Sequence, residues 1–261
     1  MNARDALREL AELSASQWGM VTAAQAAARG LSRLDLARLA GAGDLVRLAH
    51  GIYRDAGAPS DEYEDLRAAW LSTDPGRLAE ARLGDQAAGV VVSGASAAWL
   101  HEIGELRADR HEFAAPVRRQ SQRAEIRYRQ RQLDSADVTI VNGLPATTPE
   151  RTLADLVEMR TDLSLVADAL GDAARMRQLD LNRLAELLAP LAARTGFRKD
   201  DGEALLARLM EFAGLDAAAT AKRIAADDEL AALVSIDYLR RMTNRHDLDL
   251  EELVSDLRAI A

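Results

Sequence analysis

Residues 19–54 read GMVTAAQAAARGLSRLDLARLAGAGDLVRLAHGIYR, and this stretch decides the fold at the N-terminal end of the chain. Thr22 is a good N-cap for the short helix AAQAAAR, which Gly30 closes. Ser32 is a good N-cap for a second helix, RLDLARLAGAG. An amphipathic helix is predicted before them, over residues 3–15. Two short helices joined by a glycine-containing turn, after a first helix, form a helix-turn-helix pattern.

The residues that follow, LVRLAHGIYRD (45–55), favour a β-hairpin that turns at His50-Gly51. A hairpin directly after the third helix is the wing of a winged helix. We therefore predict that residues 1–58 form a winged helix-turn-helix DNA-binding domain.

The third helix has an apolar side and a basic side when its residues are placed at about 100° intervals. Leu36 and Leu39 fall on the apolar side, and the other side carries Arg33, Leu34, Ala37 and Arg38. A recognition helix presents such a side to the major groove, where arginine contacts phosphates or guanine edges. In the hairpin, the residues that could contact the DNA backbone or minor groove are Arg47, His50 and Arg54. The alternative is a small helical subdomain whose arginines are ordinary solvated surface.

The charge balance leaves DNA binding open, although the 261 residues carry a net charge of −9. Residues 1–58 hold seven arginines against six acidic residues, so the acidity lies further along the chain. Cysteine is absent, which excludes disulfides and thiolate metal sites. No apolar run approaches about 18 residues, and the first residues lack the apolar core of a signal peptide. We therefore expect a cytoplasmic protein without membrane association.

The remainder, residues 59–261, is predicted as a second domain, mixed α/β over about 59–148 and helical over about 149–261. Its predicted strands are 90–92, 111–116, 124–132 and 137–148, the last of them broken at Gly143 and Pro145. Its predicted later helices are 151–159, 163–170, 181–193, 202–213, 217–226, 229–245 and 250–260. The expected fold class is α+β and mainly helical, with an N-terminal winged helix-turn-helix, a small middle sheet with helices, and a C-terminal helical region.

Six arginines lie within residues 118–131, where the acidic residue is Glu125. They are Arg118, Arg119, Arg123, Arg127, Arg129 and Arg131. The last three alternate along a predicted strand and so share one face. That face could bind RNA, DNA or an acidic partner, or it could be a solvated face neutralised by the acidic C-terminal half.

The sequence contains no complete catalytic or metal-binding motif. Gly94-Ala95-Ser96 resembles a nucleophile elbow, but the second glycine and the triad partners are missing. His101-Glu102 lacks the second histidine of a zinc-protease helix, and the four histidines show no metal-ligand spacing. We therefore expect a protein that is not an enzyme and that needs no cofactor or metal.

Three stretches, in this order, resemble the AbiEi-type antitoxins of AbiE (type IV) toxin–antitoxin systems. They are residues 19–54, VVSGASAAWLHEIGEL (91–106) and VNGLPATTPERTLADL (141–156). The resemblance covers about residues 5–170. It implies a regulator that binds inverted repeats in its own promoter as double-stranded DNA. It further implies repression of an operon that also encodes a nucleotidyltransferase-like toxin, with the C-terminal region contributing to antitoxicity.

The resemblance also implies DNA-facing candidates, namely Thr22, Ser32, Arg33, Arg38, Arg47 and Arg54. It gives no catalytic role to the third stretch, which we interpret as a strand-to-helix junction. Thr148 is the expected cap there, Pro149 the first helical residue, and Arg151 and Asp155 a pair four residues apart.

Three alternatives belong to other functional classes. The chain could be a stand-alone winged-helix regulator without a toxin partner, or an RNA- or protein-interaction module that uses the Arg118–Arg131 strip. It could also be a degenerate relative of a nuclease. A nucleotidyltransferase gene beside its own would favour the antitoxin.

Overall fold

The computed structural model describes residues 3–176, 179–227 and 233–235. The chain forms two compact units, Met1–Leu209 and Met210–Ala261. The architecture is α+β and mainly helical, which confirms the predicted fold class. Among the described residues, no helix is both long and apolar enough to cross a membrane. Apart from residues 233–235, the helices predicted over 229–245 and 250–260 lie outside the described residues.

The N-terminal part contains three helices and a three-stranded antiparallel sheet in the order β1-β3-β2. Its elements are α1 (Ala3–Ser14), β1 (Met20–Thr22), α2 (Ala23–Ala28), α3 (Arg33–Ala42), β2 (Leu45–Ala49) and β3 (Ile52–Asp55). The β2–β3 hairpin follows α3 directly and turns at His50-Gly51, with a register shift between Arg47 and Ala49. This is the winged helix that the sequence predicts.

Both predicted N-caps form reciprocal capping boxes. The Thr22 hydroxyl accepts a hydrogen bond from the Gln25 backbone N–H at 3.0 Å, and the Gln25 side chain accepts one from the Thr22 N–H at 2.9 Å. Ser32 and Asp35 form the same pair of bonds at the start of α3, at 3.2 and 2.9 Å. Each such cap contributes about 1 kcal/mol of helix stability. These bonds fix where α2 and α3 begin, and hence which side of α3 faces solvent.

A second sheet follows, with five strands in the order β6-β5-β4-β8-β7. Its strands are β4 (Val91–Val92), β5 (His111–Ala115), β6 (Ile126–Gln130), β7 (Val138–Val141) and β8 (Leu144–Thr147). Helices α4 (Glu64–Thr73) and α5 (Ala79–Leu83) precede the sheet, and α6 (Gly94–Leu100) joins β4 to β5. The interrupted strand predicted over 137–148 is the hairpin of β7 and β8, because Asn142 and Gly143 turn with φ of 49° and 81°.

The later elements are α7 (Pro149–Glu158), α8 (Leu163–Met176), α9 (Leu181–Leu188), α10 (Gly202–Phe212) and α11 (Ala217–Ala225). The helix predicted over 181–193 ends earlier than expected. A 3-10 helix, Ala189–Thr195, continues from α9 because Pro190 offers no backbone N–H for an α-helical bond.

The hydrophobic core continues from the winged helix into the part that follows it. Met20 and Ile52 are buried in the same cluster as Trp70 and Phe113. Polar contacts cross the same boundary, since the Gln25 side chain donates to the Arg77 carbonyl at 2.8 Å. Cutting the chain near residue 58 would expose these groups, so the winged helix is best tested within the full chain.

Candidate DNA-binding surface

Helix α3 has one side in the core and one side in solvent, as its spacing predicts. Leu36 and Leu39 are buried. The exposed side carries Arg33, Leu34, Ala37 and Arg38. Leu34 is 59% exposed, so an apolar side chain of this helix lies on the surface without a packing role. The helix therefore presents two arginines, a small residue and an apolar residue together.

Hydrogen bonding within the cap keeps a carboxylate close to these arginines. The Ser32 hydroxyl donates to Asp35 Oδ2 at 2.6 Å, and this bond is the main reason why the pKa of Asp35 is lowered. Arg38 Nη1 lies 3.9 Å from Asp35 Oδ1, with 72% of the Arg38 side chain exposed. Within the described part of the chain, Arg33 has no carboxylate partner. Ser32 therefore acts first as a cap, while Arg33 and Arg38 keep exposed cationic ends.

The wing adds two exposed side chains, an arginine and a histidine, next to the start of α3. Arg47 on β2 and His50 at the turn are exposed. Both line a cavity of about 250 Å³ together with Arg33. The structure therefore brings together three residues that the sequence identified separately.

Two further candidates are not available to DNA in this structure, which corrects that expectation. Thr22 is fully buried, and its hydroxyl donates to the Pro75 carbonyl at 2.5 Å. The Arg54 side chain is 12% exposed, and its Nε lies 2.6 Å from Glu64 Oε1. Thr22 is buried because it caps α2 against the segment that follows the winged helix. Arg54 is largely buried because its strand, β3, is the middle strand of the sheet.

The six arginines of residues 118–131 divide into two groups. Arg127, Arg129 and Arg131 belong to β6 and its end, and each lies within 4 Å of a carboxylate. Arg127 Nη1 lies 3.1 Å from Glu112 Oε1, and Arg129 Nη1 lies 3.6 Å from Glu158 Oε2. Arg131 pairs with Glu158, and its Nε lies 3.5 Å from Asp155 Oδ1. Exposure of the arginine side chains falls from 54% to 34% to 21% along the strand.

This face is therefore not a free basic surface. Its charge is balanced by Glu112 of β5 and by Asp155 and Glu158 of α7, so the C-terminal half supplies part of the neutralisation. Strand β6 pairs with β5, which brings Glu112 beside Arg127.

The other three arginines lie in the loop between β5 and β6, and this loop reaches the wing. Arg123 Nη2 donates to the His50 carbonyl at 2.9 Å, and Arg119 Nη1 donates to the Thr73 carbonyl at 2.8 Å. Arg118 is exposed. Sequence reasoning missed this proximity because no local pattern relates residues 73 positions apart.

Two family models match the chain. One, described as a transcriptional regulator and AbiEi antitoxin, matches residues 8–54, and the other, the AbiEi antitoxin C-terminal domain, matches residues 87–199. The chain belongs to the AbiEi antitoxin family. As an AbiEi protein it is an antitoxin with a regulatory role. The first match spans most of the winged helix, and the second begins before β4 and ends after α9.

The fold of this AbiEi protein is similar to a solved structure, the crystal structure of the RV2827C protein from Mycobacterium tuberculosis. That likeness has a TM-score of 0.50 and 21% sequence identity, over 83% of this chain and 80% of the other. It shows a shared fold. No curated protein gives a significant match.

The third AbiEi-like stretch, residues 141–156, forms the predicted strand-to-helix junction. The Thr148 hydroxyl accepts from the Arg151 N–H at 3.3 Å, and Pro149 is the first residue of α7. Arg151 Nη2 lies 2.7 Å from Asp155 Oδ1, which confirms the predicted pair.

The residues of the two incomplete catalytic motifs hold structural positions. Ser96 is buried, and its hydroxyl accepts from the Glu112 backbone N–H at 2.9 Å. His101 Nε2 lies 2.7 Å from the Thr147 carbonyl oxygen. Among the described residues, no group of three histidine, aspartate or glutamate side chains could hold a metal ion.

Proposed function

We propose that this AbiEi protein binds double-stranded DNA at inverted repeats in its own promoter and represses the operon that encodes it. The observation that carries the proposal is the meeting of the exposed side of α3 with the wing. Arg33 belongs to both, since it lies on the exposed side of α3 and lines the wing cavity with Arg47 and His50. Among the described residues that line this cavity, none carries a carboxylate side chain.

The side chains on α3 suit the major groove. Ala37 is small enough to let the helix approach the base edges, and Arg33 and Arg38 can each donate two hydrogen bonds to a guanine. Leu34 can contact a thymine methyl group. Arg47 on the wing reaches the backbone instead, where a positive charge binds phosphate of any sequence. The helix would supply specificity, and the wing would supply affinity.

We further propose that the protein counteracts a nucleotidyltransferase-like toxin encoded in the same operon. The match of residues 87–199 to the AbiEi antitoxin C-terminal domain supports this role. The protein would act by binding and not by catalysis, in the cytoplasm where its operon lies. Its two activities would use different surfaces, since the DNA-facing residues lie within the first 50 residues.

A reporter gene under the chain's own upstream region tests repression. We expect wild-type protein to lower reporter output, and Arg33→Ala combined with Arg38→Ala to restore it, because both base-reading guanidinium groups are removed. Arg175→Ala is the matched control, since this arginine is 67% exposed on α8 and pairs with Asp172. Repression by the double variant at the wild-type level would contradict the proposal.

Growth rescue tests the antitoxin role separately. Co-expression with the nucleotidyltransferase encoded beside it should restore growth, and the Arg33→Ala, Arg38→Ala variant should rescue equally well when expressed from an unrelated promoter. Failure of the wild-type protein to rescue would contradict the proposed toxin partner. Loss of rescue in the double variant alone would contradict the use of separate surfaces.

A further inference from the structure

The β5–β6 loop, residues 116–125, places a further cationic group at the wing. Arg123 Nη2 donates to the His50 carbonyl at 2.9 Å. The same side chain lines the 250 Å³ cavity that contains Arg33, Arg47 and His50. A residue of the second sheet region therefore completes a cavity of the winged helix.

An adjoining cavity of about 550 Å³ extends this basic region. It shares His50 and Arg123 with the first cavity, and Arg119 also lines it. The described residues that line the two cavities include no aspartate or glutamate. Acidic residues outnumber basic ones by 42 to 33 in the whole chain, so this arginine-lined region is a local concentration of positive charge.

The loop is held in place by one hydrogen bond to the end of α4 and one within the loop. Arg119 Nη1 donates to the Thr73 carbonyl at 2.8 Å, and the Arg123 backbone N–H donates to the Ser121 hydroxyl at 3.0 Å. The bond from Arg123 to His50 uses one nitrogen of the guanidinium, which has five N–H donors in all. The group is therefore positioned before any ligand binds, which lowers the entropic cost of binding.

Three guanidinium groups around one cavity repel one another unless an anion lies between them. A phosphate diester provides that anion, and arginine binds it with strong charge-assisted hydrogen bonds. The phosphate would belong to DNA, because Arg33 lines this cavity and also lies on the exposed side of α3. The phosphate backbone of a DNA duplex bound to α3 would therefore lie at the cavity.

We propose that Arg123 contacts a DNA phosphate, so that the β5–β6 loop completes a backbone clamp with the wing. This inference rests on the proposed function and adds to it a DNA contact from outside the winged helix. The contact is independent of base sequence, because phosphates carry no sequence information directly.

Fluorescence anisotropy with the full chain tests the clamp, using a duplex from its own upstream region and a scrambled duplex of equal length. The key variant is Arg123→Gln, which removes the charge and keeps a polar side chain. We expect the slope of log affinity against log salt to become shallower by about 0.9 on both duplexes. Between about 50 and 200 mM salt, wild-type protein would then lose about 3.5-fold more affinity than the variant.

Two further variants make the result specific. Arg127→Gln removes the same charge from the neighbouring strand, outside both cavities, and should leave the slope unchanged. Arg123→Lys keeps the charge and should keep the wild-type slope, even if the hydrogen bond to the wing changes. Thermal unfolding of each variant checks that the winged helix remains folded.

The outcomes separate this inference from the proposed function. If Arg123→Gln keeps the wild-type slope while Arg47→Ala makes it shallower, the clamp is overturned and the winged helix still binds DNA. Equal losses in Arg123→Gln and Arg127→Gln would also overturn the clamp, because they would reflect overall charge. If wild-type protein binds neither duplex, the proposed function fails and the inference fails with it.

Discussion

Arg151 and Asp155 form a buried ion pair one turn apart on α7, with 2.7 Å between Arg151 Nη2 and Asp155 Oδ1. Their side chains are 8% and 1% exposed, and Arg131 Nε lies 3.5 Å from the same carboxylate oxygen. Burial raises the pKa of Asp155, whereas the charges of Arg151 and Arg131 oppose that shift. The pair lies within the third AbiEi-like stretch, so this part of the stretch has a structural role.

Removing Arg151 should be strongly destabilising, because it leaves a buried carboxylate without its closest partner. We expect Arg151→Ala to lower the free energy of unfolding by about 3–5 kcal/mol in urea denaturation. Arg175→Ala breaks an exposed pair with Asp172 and should cost less than about 1 kcal/mol. Equal costs in the two variants would show that burial does not set the strength of the Arg151–Asp155 interaction.

The stability of the protein should depend on pH through His111. Burial lowers the pKa of this half-buried imidazole, although the charges of Asp65 and Glu125 oppose the shift. Below about pH 6.5 the unfolded chain takes up a proton that the folded protein resists, so stability should fall as pH falls from there. His111→Gln should flatten this dependence in unfolding curves measured between about pH 7 and pH 5.

His50→Gln is the matched control for that measurement, since His50 is exposed at the wing turn. A flattening of the same size in both variants would contradict the role assigned to the burial of His111.

A side chain at Gly143 in the hairpin turn should be destabilising. A Cβ added there would lie 3.0 Å from the Trp18 ring, and the residue has φ of 81°. Gly43→Ala is the matched control, because Gly43 has φ of 86° and open space around it. Both variants should lose about 1–2 kcal/mol from the left-handed backbone.

Gly143→Ala should lose more in urea denaturation, because Trp18 must also move. The Trp18 ring packs edge-on against Trp70 at 6.2 Å between centroids, so the change would disturb the core beneath the winged helix. Equal losses in the two glycine variants would show that the Trp18 contact can be relieved without cost.

Residues on α3 and on the wing should affect DNA binding differently. Arg33→Ala or Arg38→Ala should cost about 1–3 kcal/mol on the preferred sequence and relax sequence preference, because base contacts are lost. Arg47→Ala should weaken binding to all sequences alike and make the salt slope shallower by about one unit. Titration of a set of mutated operator duplexes distinguishes the two effects. A change of sequence preference in Arg47→Ala alone would contradict the assignment.

The parts of the fold that were predictable from the sequence are those set by neighbouring residues. The caps at Thr22 and Ser32, the apolar side of α3 and the turn at His50-Gly51 each depend on a few adjacent positions. The Arg151–Asp155 pair was predictable for the same reason, since it is a contact between successive helical turns.

Contacts between distant segments were not predictable from local patterns. The sequence predicts Arg54 as an exposed wing residue. In the structure its strand lies in the middle of the sheet, and its side chain pairs with Glu64. The sequence places Arg123 only in an arginine-rich stretch before a predicted strand, whereas the structure shows it bonded to the His50 carbonyl of the wing. Pairing partners of this kind depend on strand order, which periodicity does not give.

The most direct test of DNA recognition is the ratio of two dissociation constants for the wild-type full chain. One is measured on a duplex from its own upstream region and the other on a scrambled duplex of the same length and composition, at one fixed salt concentration. We predict tighter binding to the upstream duplex by about 10³-fold or more, the range of specific regulators. Equal affinity for the two duplexes, or no binding to either, would contradict the proposal that this winged helix recognises its own promoter.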